Sequence, residues 1–395
     1  MMETKFEIPF GGRGGGYSQQ EIKLISEVAS MEGPLTQGSN LKELEKYFVD
    51  FQSLGGYAYG TSSCTSAIEI IAELLLAFPG DEVIIPTHTY TSSAYPFVKR
   101  GFRPIWADSD SLTRVTTPEL LEPLINNRTK AIVIPHLYGY VADIFGVCKI
   151  AAEHGVPVIE DAAQSIGARI NENRCGSLAD FGVFSFHSHK NMTTLGEGGM
   201  LWVKDEAIAK LVPLLRHNGH CPFDFKQENY WEPAMGNVDL PILNETPLAP
   251  GNYCLGEVQA ALGRKLLERI DEVNLMKRTR ALSFINALEK SDLLEFHREE
   301  SARHNYHLLA AKVKGNKRNA FIKRMAEIHR IQCVVQYLPL HRYDYYRKLG
   351  FAEASTPNAE DFFDNMVSFP FHHSLTDKDF EYVLNCTLES VQCLS

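Results

Sequence analysis

The chain has 395 residues, 44% hydrophobic and 22% charged, a balance typical of a globular protein large enough for two domains. Its formal net charge of −10 argues against nucleic acid and an anionic membrane surface as partners. No apolar run reaches the roughly 18 residues of a membrane span, and the N-terminus lacks a signal-peptide layout. Eight scattered cysteines without a CxxC spacing indicate reduced thiols in a cytoplasmic protein and no metal site.

The first predicted elements are a glycine-rich N-terminal arm, two helices and a turn of small residues. Ser39 is expected to cap the second helix, in which Leu41 and Leu44 recur at helical spacing. The turn TSSCTSA at 61–67 precedes an apolar helix predicted at 68–78. Backbone N–H groups at such a helix start favour a phosphate, although a plain serine and threonine cap explains the same residues.

Short apolar runs then alternate with helical patterns, which predicts a mostly parallel sheet covered by helices on both faces. The predicted strands are 81–86, 103–108, 130–135, 156–159, 181–186 and 200–203, and the predicted helices between or after them are 118–125, 144–154 and 205–216. Residues 217–250 have little periodicity and are expected to form a long loop that is functional or mobile.

The last part of the chain is predicted to form a smaller α+β domain. An amphipathic helix at about 257–289 is expected to connect it to the larger domain. Strands are predicted at 305–313 and 333–338, and helices at 317–329 and 377–390. The predicted division is a large domain over residues 1–255 and a small domain over 256–395.

A carboxylate and an amine follow two of the predicted strands. The strand at 156–159 ends in Glu160 and Asp161, and the strand at 181–186 is followed by Lys190. Ligands of open α/β sheets bind outside the carboxyl ends of the strands. A buried Asp and Lys form either a structural salt bridge or a pyridoxal phosphate site, in which the lysine forms a Schiff base and the aspartate keeps the pyridinium protonated. Side-chain alternation puts Glu160 and Asp161 on opposite faces without saying which one faces a ligand.

Three motifs in this region, in this order, resemble those of the DegT/DnrJ/EryC1/StrS sugar aminotransferases, which are fold-type I pyridoxal phosphate enzymes. The motifs are VIEDAAQ at 158–164, SFHSHKN at 185–191 and GEGG at 196–199. The resemblance implies that Lys190 is the Schiff-base lysine and Asp161 the pyridinium partner. It also implies that Gln164 lies against the ring hydroxyl and that Ser185 contacts the cofactor phosphate.

The resemblance extends over nearly the whole chain and implies four more cofactor contacts. Thr65 and Ser66, in the turn before the apolar helix, would bind the phosphate, and Tyr90 of THTYT at 87–91 would stack on the pyridine ring. Asn252, in GNYCLGEVQAALG at 251–263, would reach the phosphate of the neighbouring subunit, which implies a homodimer. The segment YLPLH at 337–341 also resembles a family segment.

The resemblance implies an activity that transfers an amino group to a keto-sugar. The keto-sugar is expected to be linked to a nucleotide. The amino donor would be an amino acid, most often glutamate in this family. Lys190 would also act as general base and acid. Gly251 and Cys254 replace the Tyr and Arg usual in the family, which leaves a smaller phosphorylated ketone as an alternative substrate.

Three other functions remain open on the same fold, since fold does not fix function. One is a sugar dehydratase of the same family, but those enzymes have His where this chain has Lys190. The second is another pyridoxal phosphate reaction, such as a decarboxylase or lyase. The third is a non-catalytic protein that senses an amino sugar.

Overall fold

A computed structural model describes residues 6–11, 16–221 and 236–394 of the chain. The predicted N-terminal arm and the predicted 217–250 loop lie partly outside these residues. The helices are α1 Gln19–Ala29, α2 Ser39–Gln52, α3 Cys64–Leu74, α4 Tyr95–Lys99, α5 Pro118–Leu121, α6 Ile144–Glu153, α7 Glu206–Ala209, α8 Val212–Arg216, α9 Glu257–Leu267, α10 Ile270–Ala287, α11 Arg318–Glu327, α12 Asp344–Lys348, α13 Pro357–Asn365 and α14 Asp377–Leu394.

The described residues also form sixteen strands, several of which alternate in sequence with these helices. The strands are β1 Tyr57–Thr61, β2 Glu82–Pro86, β3 Arg103–Ala107, β4 Thr129–Pro135, β5 Val158–Asp161, β6 Arg169–Ile170, β7 Asn173–Arg174, β8 Phe181–Ser185, β9 Gly199–Val203, β10 His220–Cys221, β11 Asn237–Val238, β12 Ile242–Leu243, β13 Thr246–Pro247, β14 Leu294–Phe296, β15 Leu309–Val313 and β16 Met366–Phe369.

The main sheet has seven strands in the order β1-β9-β8-β5-β4-β2-β3. Strands β3, β2, β4, β5 and β8 run parallel to one another. At one edge, β9 is antiparallel to both of its neighbours, β8 and β1. Every residue of β2, β5, β8 and β9 is buried. Burial on both faces explains why these strands are continuous apolar runs in the sequence, and the predicted mostly parallel sheet is confirmed.

The register of β5 and β8 decides where the site lies. Asp161, the last residue of β5, is paired with Val183 in the middle of β8. The two parallel strands therefore end at the same edge of the sheet. The loop that follows β8, which carries Lys190, begins beside the carboxylate of Asp161.

The second sheet is small and antiparallel, in the order β14-β15-β16. Helices α10, α11 and α14 enclose a separate apolar core with it, built around Phe284, Phe321, Phe369 and Val383. The boundary at residues 255 and 256 stays a prediction. Helix α9 packs against α1 and α2, and its apolar residues belong to the core of the main sheet.

Several predicted elements have different ends or are divided. The long helix predicted at 257–289 is two helices, α9 and α10, with Glu268 and Arg269 between them. The division falls where the packing partners change, since α9 packs on α1 and α2 and α10 contributes Phe284 and Ile285 to the small core. Arg269 forms an ion pair with Glu21 of α1 at 2.8 Å, which fixes the break.

The segment predicted as a strand at 333–338 forms only one isolated bridge, between Val334 and Ser368. Residues 336 and 337 leave the sheet and line the cleft described below. The strand predicted at 305–313 is confined to β15, and the helix predicted at 205–216 is divided into α7 and α8 ahead of Pro213. The apolar helix α3 begins four residues earlier than predicted because Ser63 caps it, with its Oγ accepting from the Ser66 backbone N–H at 3.0 Å.

The cap of α2 is a further correction. Ser39 is the first residue of this helix, and Gly38 precedes it without a side-chain cap. The carboxylate of Glu257 takes over this task and accepts hydrogen bonds from the backbone N–H groups of Gly38 at 2.8 Å and Asn40 at 2.9 Å. A local serine pattern cannot reveal a cap that comes from a residue so far along the chain.

Among the described residues, no helix combines the length and the apolar character that crossing a bilayer requires.

Candidate active site

A cleft of about 740 Å³ lies at the carboxyl ends of β5 and β8. Its size lies within the range of pockets that bind small molecules, roughly 300–1,000 Å³. The lining residues from the main sheet and its loops are Ser62, Ser63, Cys64, Thr65, Thr89, Tyr90, Ser92, Pro135, His136, Leu137, Asp161, Ala163, Gln164, Ser185, His187, His189, Lys190 and Glu197, and those from elsewhere are Phe10, His307, Leu308, Gln336 and Tyr337.

Asp161 is buried at the base of this cleft and is held by two donors. The hydroxyl of Ser93 donates to Asp161 Oδ2 at 2.6 Å, and the backbone N–H of Ala163 donates to Oδ1 at 3.1 Å. Each carboxylate oxygen can accept more than one hydrogen bond. The carboxylate is therefore fixed in orientation, and it can still accept a hydrogen bond from a ligand in the cleft.

Glu160 points to the opposite side and belongs to the fold. Its carboxylate accepts hydrogen bonds from the backbone N–H groups of Gly176, Leu178 and Ala179. It also lies 3.0 Å from Nε2 of His136, and both side chains are fully buried. Alternation of side chains along the strand does not show which of Glu160 and Asp161 faces a ligand. In the structure, only Asp161 of the two lines the cleft.

Lys190 lies in the loop after β8, and its side chain lines the cleft. Burial lowers the pKa of its ammonium, while the nearby Asp161 and Cys64 raise it. A lysine with a lowered pKa has a larger fraction of free amine, which is the form that attacks a carbonyl. Lys190 therefore has the surroundings of a nucleophile opposite a fixed carboxylate.

The start of α3 forms an anion cradle beside these two residues. Residues 62–65 line the cleft, and no hydrogen bond among the described residues uses the backbone N–H groups of Cys64 and Thr65. A Cβ at Gly199 would lie 2.4 Å from the carbonyl carbon of Ser63, so only glycine lets β9 approach this turn. Free N–H groups at the positive end of a helix suit a phosphate.

The predicted phosphate residues differ in their positions. Thr65 lines the cleft, and its hydroxyl lies 2.8 Å from that of Ser92. Ser66 lies behind the turn, where its hydroxyl is 2.8 Å from Ser62 Oγ and 2.9 Å from Ser63 Oγ. Ser185, at the end of β8, is buried and lines the same region.

The predicted ring contacts, Tyr90 and Gln164, both line the cleft. Tyr90 lies at its mouth with 54% of its surface exposed, and its ring meets that of Tyr337 edge to face at 5.9 Å. Gln164 Oε1 accepts from the backbone N–H of Tyr138 at 2.7 Å, and Nε2 donates to the Tyr337 hydroxyl at 3.2 Å. Tyr90 and Gln164 thus present a largely exposed ring and a fixed amide to the same cleft.

Asn252 is the one predicted cofactor residue that lies away from this group. It is exposed, forms a backbone bridge with His217, and does not line the cleft of its own chain. The single chain therefore brings together Lys190, Asp161, Thr65, Tyr90, Gln164 and Ser185, with Ser66 directly behind them.

Sequence reasoning misses the second side of the cleft, which contains His307, Leu308, Gln336 and Tyr337. Of these, only Tyr337 has a signal in the sequence, as the first residue of YLPLH. His307 precedes β15 and lies within the segment predicted as a strand, and no motif there marks it as a site residue. Within the described ranges, no three His, Cys, Asp or Glu side chains are grouped as ligands of a metal ion.

Comparisons with known proteins show the family and the fold of this chain. The sequence model of the DegT/DnrJ/EryC1/StrS aminotransferase family matches residues 17–387. The chain is 30% identical over 380 residues to the spore coat polysaccharide biosynthesis protein SpsC of Bacillus subtilis, covering 95% of each chain. It is 37% identical over 235 residues to the GDP-perosamine synthase of Caulobacter vibrioides, covering 60% of this chain and 58% of that one. The solved aminotransferase TlmJ from Streptoalloteichus hindustanus superposes with a TM-score of 0.85 at 27% identity, covering 99% of both chains.

Proposed function

Because the chain belongs to the DegT/DnrJ/EryC1/StrS aminotransferase family, we propose that it transfers an amino group from an amino acid to a keto-sugar with pyridoxal phosphate as cofactor. The match to the family model and the superposition with TlmJ confirm the predicted family, the fold-type I architecture and the assignment to the aminotransferases. The cytoplasmic location stays a prediction that rests on the cysteine pattern.

The observation that carries the proposal is the grouping of Lys190, Asp161 and the start of α3 in one cleft. Pyridoxal phosphate supplies an aldehyde that binds amines and a ring that withdraws electrons when its nitrogen is protonated. An amine, a carboxylate and an anion cradle are the three partners that this group requires. The donor set of the cleft therefore fits the cofactor.

The roles of the side chains follow from their surroundings. Asp161, oriented by Ser93, holds the proton on the ring nitrogen by a charge-assisted hydrogen bond. The N–H groups of residues 64 and 65 and the Ser185 hydroxyl bind the phosphate. Lys190 Nζ removes the proton from Cα of the amino donor and returns a proton to the sugar carbon in the second half-reaction.

Two relatives support the substrate class. One is named a GDP-perosamine synthase and another a spore coat polysaccharide biosynthesis protein. We infer a nucleotide-linked keto-sugar as acceptor and glutamate as donor. Gly251 and Cys254 leave a smaller phosphorylated ketone as the second candidate, because they lie beside Asn252 at the expected edge of the substrate site.

The test is to incubate the purified protein and pyridoxal phosphate with glutamate and a panel of keto-sugars, with and without phosphate or nucleotide. The expected result is an amino-sugar product together with 2-oxoglutarate, and neither with Lys190→Ala. An unaminated, deoxygenated product would instead indicate a dehydratase. Turnover of a small phosphorylated ketone in preference to every nucleotide-linked sugar would favour the second candidate.

The proposal includes a homodimer in which Asn252 completes the phosphate site of the partner subunit. Its exposed position outside the cleft of its own chain supports this role. An Asn252→Ala chain mixed with a Lys190→Ala chain should give dimers with one intact and one doubly defective site. Activity should then reappear from two weak parents, at up to about half the wild-type value per mixed dimer, because a twofold dimer has two equivalent sites. No recovery after demonstrated chain exchange would place Asn252 outside the partner site.

A further inference from the structure

Lys277, in the middle of α10, is buried and donates three hydrogen bonds. Its Nζ lies 3.0 Å from Asn191 Oδ1, 2.8 Å from the carbonyl oxygen of His307 and 3.1 Å from that of Phe371. A lysine ammonium has three N–H groups, so every donor is used. The three acceptors come from the Lys190 loop and from the chain on either side of the small sheet.

The charge of Lys277 has no carboxylate partner among its described contacts. Burial alone lowers its pKa to about 7. A buried charge that is not paired with an opposite charge is costly, and an apolar side chain at such a position avoids the cost. The position of Lys277 therefore needs an explanation other than general stability.

That explanation begins with Asn191, the residue after Lys190. The Asn191 amide is held at both ends by α10: Oδ1 accepts from Lys277, and Nδ2 donates to Asn274 Oδ1 at 2.9 Å. Asn274 in turn donates to the carbonyl oxygen of Ile166 at 2.8 Å. Asn274 and Lys277 are three residues apart, on the same face of the helix. The helix thus fixes the backbone directly after the amine-bearing residue.

The same ammonium also fixes the opposite side of the cleft. It binds the carbonyl oxygen of His307, whose ring lines the cleft and whose Nδ1 lies 3.4 Å from Asn191 Oδ1. A change at Lys277 would therefore remove one anchor of Asn191 and one of His307 at the same time.

We propose that Lys277 is a positioning residue that sets the position of Lys190 and of the His307 side of the cleft through its hydrogen bonds to Asn191 and the His307 carbonyl. The inference rests on the proposed function, because it concerns how Lys190 meets the cofactor. Lys277 itself touches neither cofactor nor substrate, since its three donors are occupied.

The test compares Lys277→Met with Arg174→Met as a matched control. Methionine keeps the approximate length of the lysine and removes the three donors. Arg174 is a buried cation that also binds α10, through two hydrogen bonds of 2.7 Å to Asp271, and it lies over the ring of Phe51 at 3.8 Å. The control thus loosens the same helix without touching Asn191 or His307.

The first measurement is the rate at which cofactor-free protein captures pyridoxal phosphate. The Lys190 amine condenses with the aldehyde and releases water, and borohydride reduces the resulting C=N bond, so peptide mass analysis counts the attachment at Lys190. The second measurement separates kcat from KM. We expect capture and kcat of Lys277→Met to fall about 10- to 100-fold, a larger change than any rise in KM, since a displacement of about 1 Å at a reacting group has such an effect. Arg174→Met should lose stability and keep both rates.

Folded Lys277→Met with rates equal to those of Arg174→Met would overturn the inference. If Lys277→Met does not fold, Asn191→Ala decides, because it removes the Oδ1 acceptor through which Lys277 would act on the Lys190 loop and leaves Lys277 in place. A fall of about tenfold in capture is then expected, and an unchanged rate overturns the inference. Normal capture by the wild type beside an unaffected variant refutes this inference alone, whereas no capture by the wild type refutes the proposed function as well.

Discussion

The two sides of the cleft are built differently. Asp161, Lys190 and residues 62–65 follow strands of the main sheet or begin a helix that packs on it, so the sheet sets where their backbone lies. His307, Gln336 and Tyr337 lie in irregular chain beside the small sheet. Their positions depend on bonds from distant residues, such as that from the Tyr138 hydroxyl to the Gln336 carbonyl oxygen at 2.7 Å.

This difference suggests that the main-sheet side serves the chemical step and that the small-sheet side serves substrate binding. Groups at rigid strand ends hold their geometry well enough for proton transfer, and irregular segments can vary without disturbing the sheet. We therefore expect changes on the main-sheet side to lower kcat and changes on the small-sheet side to raise KM. The substitutions described next test this expectation.

The largest expected effect is that of Lys190→Ala. It removes both the attachment point and the proton carrier, so kcat should fall at least about 10³-fold. Lys204→Ala, at an exposed lysine just after β9, is the control and should keep full activity. Glutamate-dependent formation of 2-oxoglutarate measures both. Substantial turnover by Lys190→Ala would mean that another amine carries the reaction.

The neighbouring carboxylates of β5 should separate chemistry from stability. Asp161→Asn should lower kcat about 100-fold with little loss of stability, because a neutral amide holds the ring proton poorly. Glu160→Gln should lower the free energy of unfolding by about 3 kcal/mol, since an amide cannot accept from all of its buried donors. Folded Glu160→Gln should keep kcat within a few-fold of wild type. The reverse pattern, measured by urea unfolding and steady-state kinetics, would exchange the two roles.

Stability should depend on pH through Lys277. The unfolded lysine keeps its proton up to about pH 10.5, and the buried one loses it near pH 7. Between these values the unfolded state binds more protons, so raising the pH stabilises the folded protein, by at most about 1.4 kcal/mol per pH unit. Urea unfolding of cofactor-free wild type and Lys277→Met from pH 7 to 9 should show this slope in their difference. Parallel pH profiles would contradict it.

The smallest effect is expected for Tyr337→Phe, on the small-sheet side. The substitution removes the hydroxyl that accepts from Gln164 Nε2, a loss of about 1 kcal/mol, so KM for the sugar should rise about fivefold. The value of kcat should stay within about twofold. Tyr345→Phe, at an exposed tyrosine outside the cleft, is the control. A fall in kcat without a change in KM would show that both sides serve the chemistry.

The same contrast explains what could be predicted from the sequence. The main sheet and the positions of Asp161 and Lys190 were predictable, because buried parallel strands are apolar runs and polar residues mark their ends. The choice between Glu160 and Asp161 needed the family motif, since both are buried. His307 and Lys277 could not be found, because their partners lie tens of residues away: Lys277 and Asn191 are 86 residues apart.

The predicted ends of helices and strands are wrong where tertiary contacts override the local sequence pattern. The apolar periodicity from 257 onward continues across Glu268 and Arg269, but the pairing of Arg269 with Glu21 divides the helix there. Residues 333–338 have a strand-like composition, yet residues 336 and 337 are drawn into the cleft. Asn252 is a different case, because one chain alone cannot show what an exposed side chain meets.

The cap that Glu257 provides for α2 has a consequence for synthesis on the ribosome. Asn40 and the carboxylate that caps its helix are 217 residues apart. At about 5–20 residues per second, α2 waits on the order of 10–40 s before its capping group has been made. Until then its first N–H groups can bond only to water. The beginning of the chain therefore reaches its final form only after more than half of the polypeptide has been translated, and nascent chains that stall before residue 257 should leave α2 frayed.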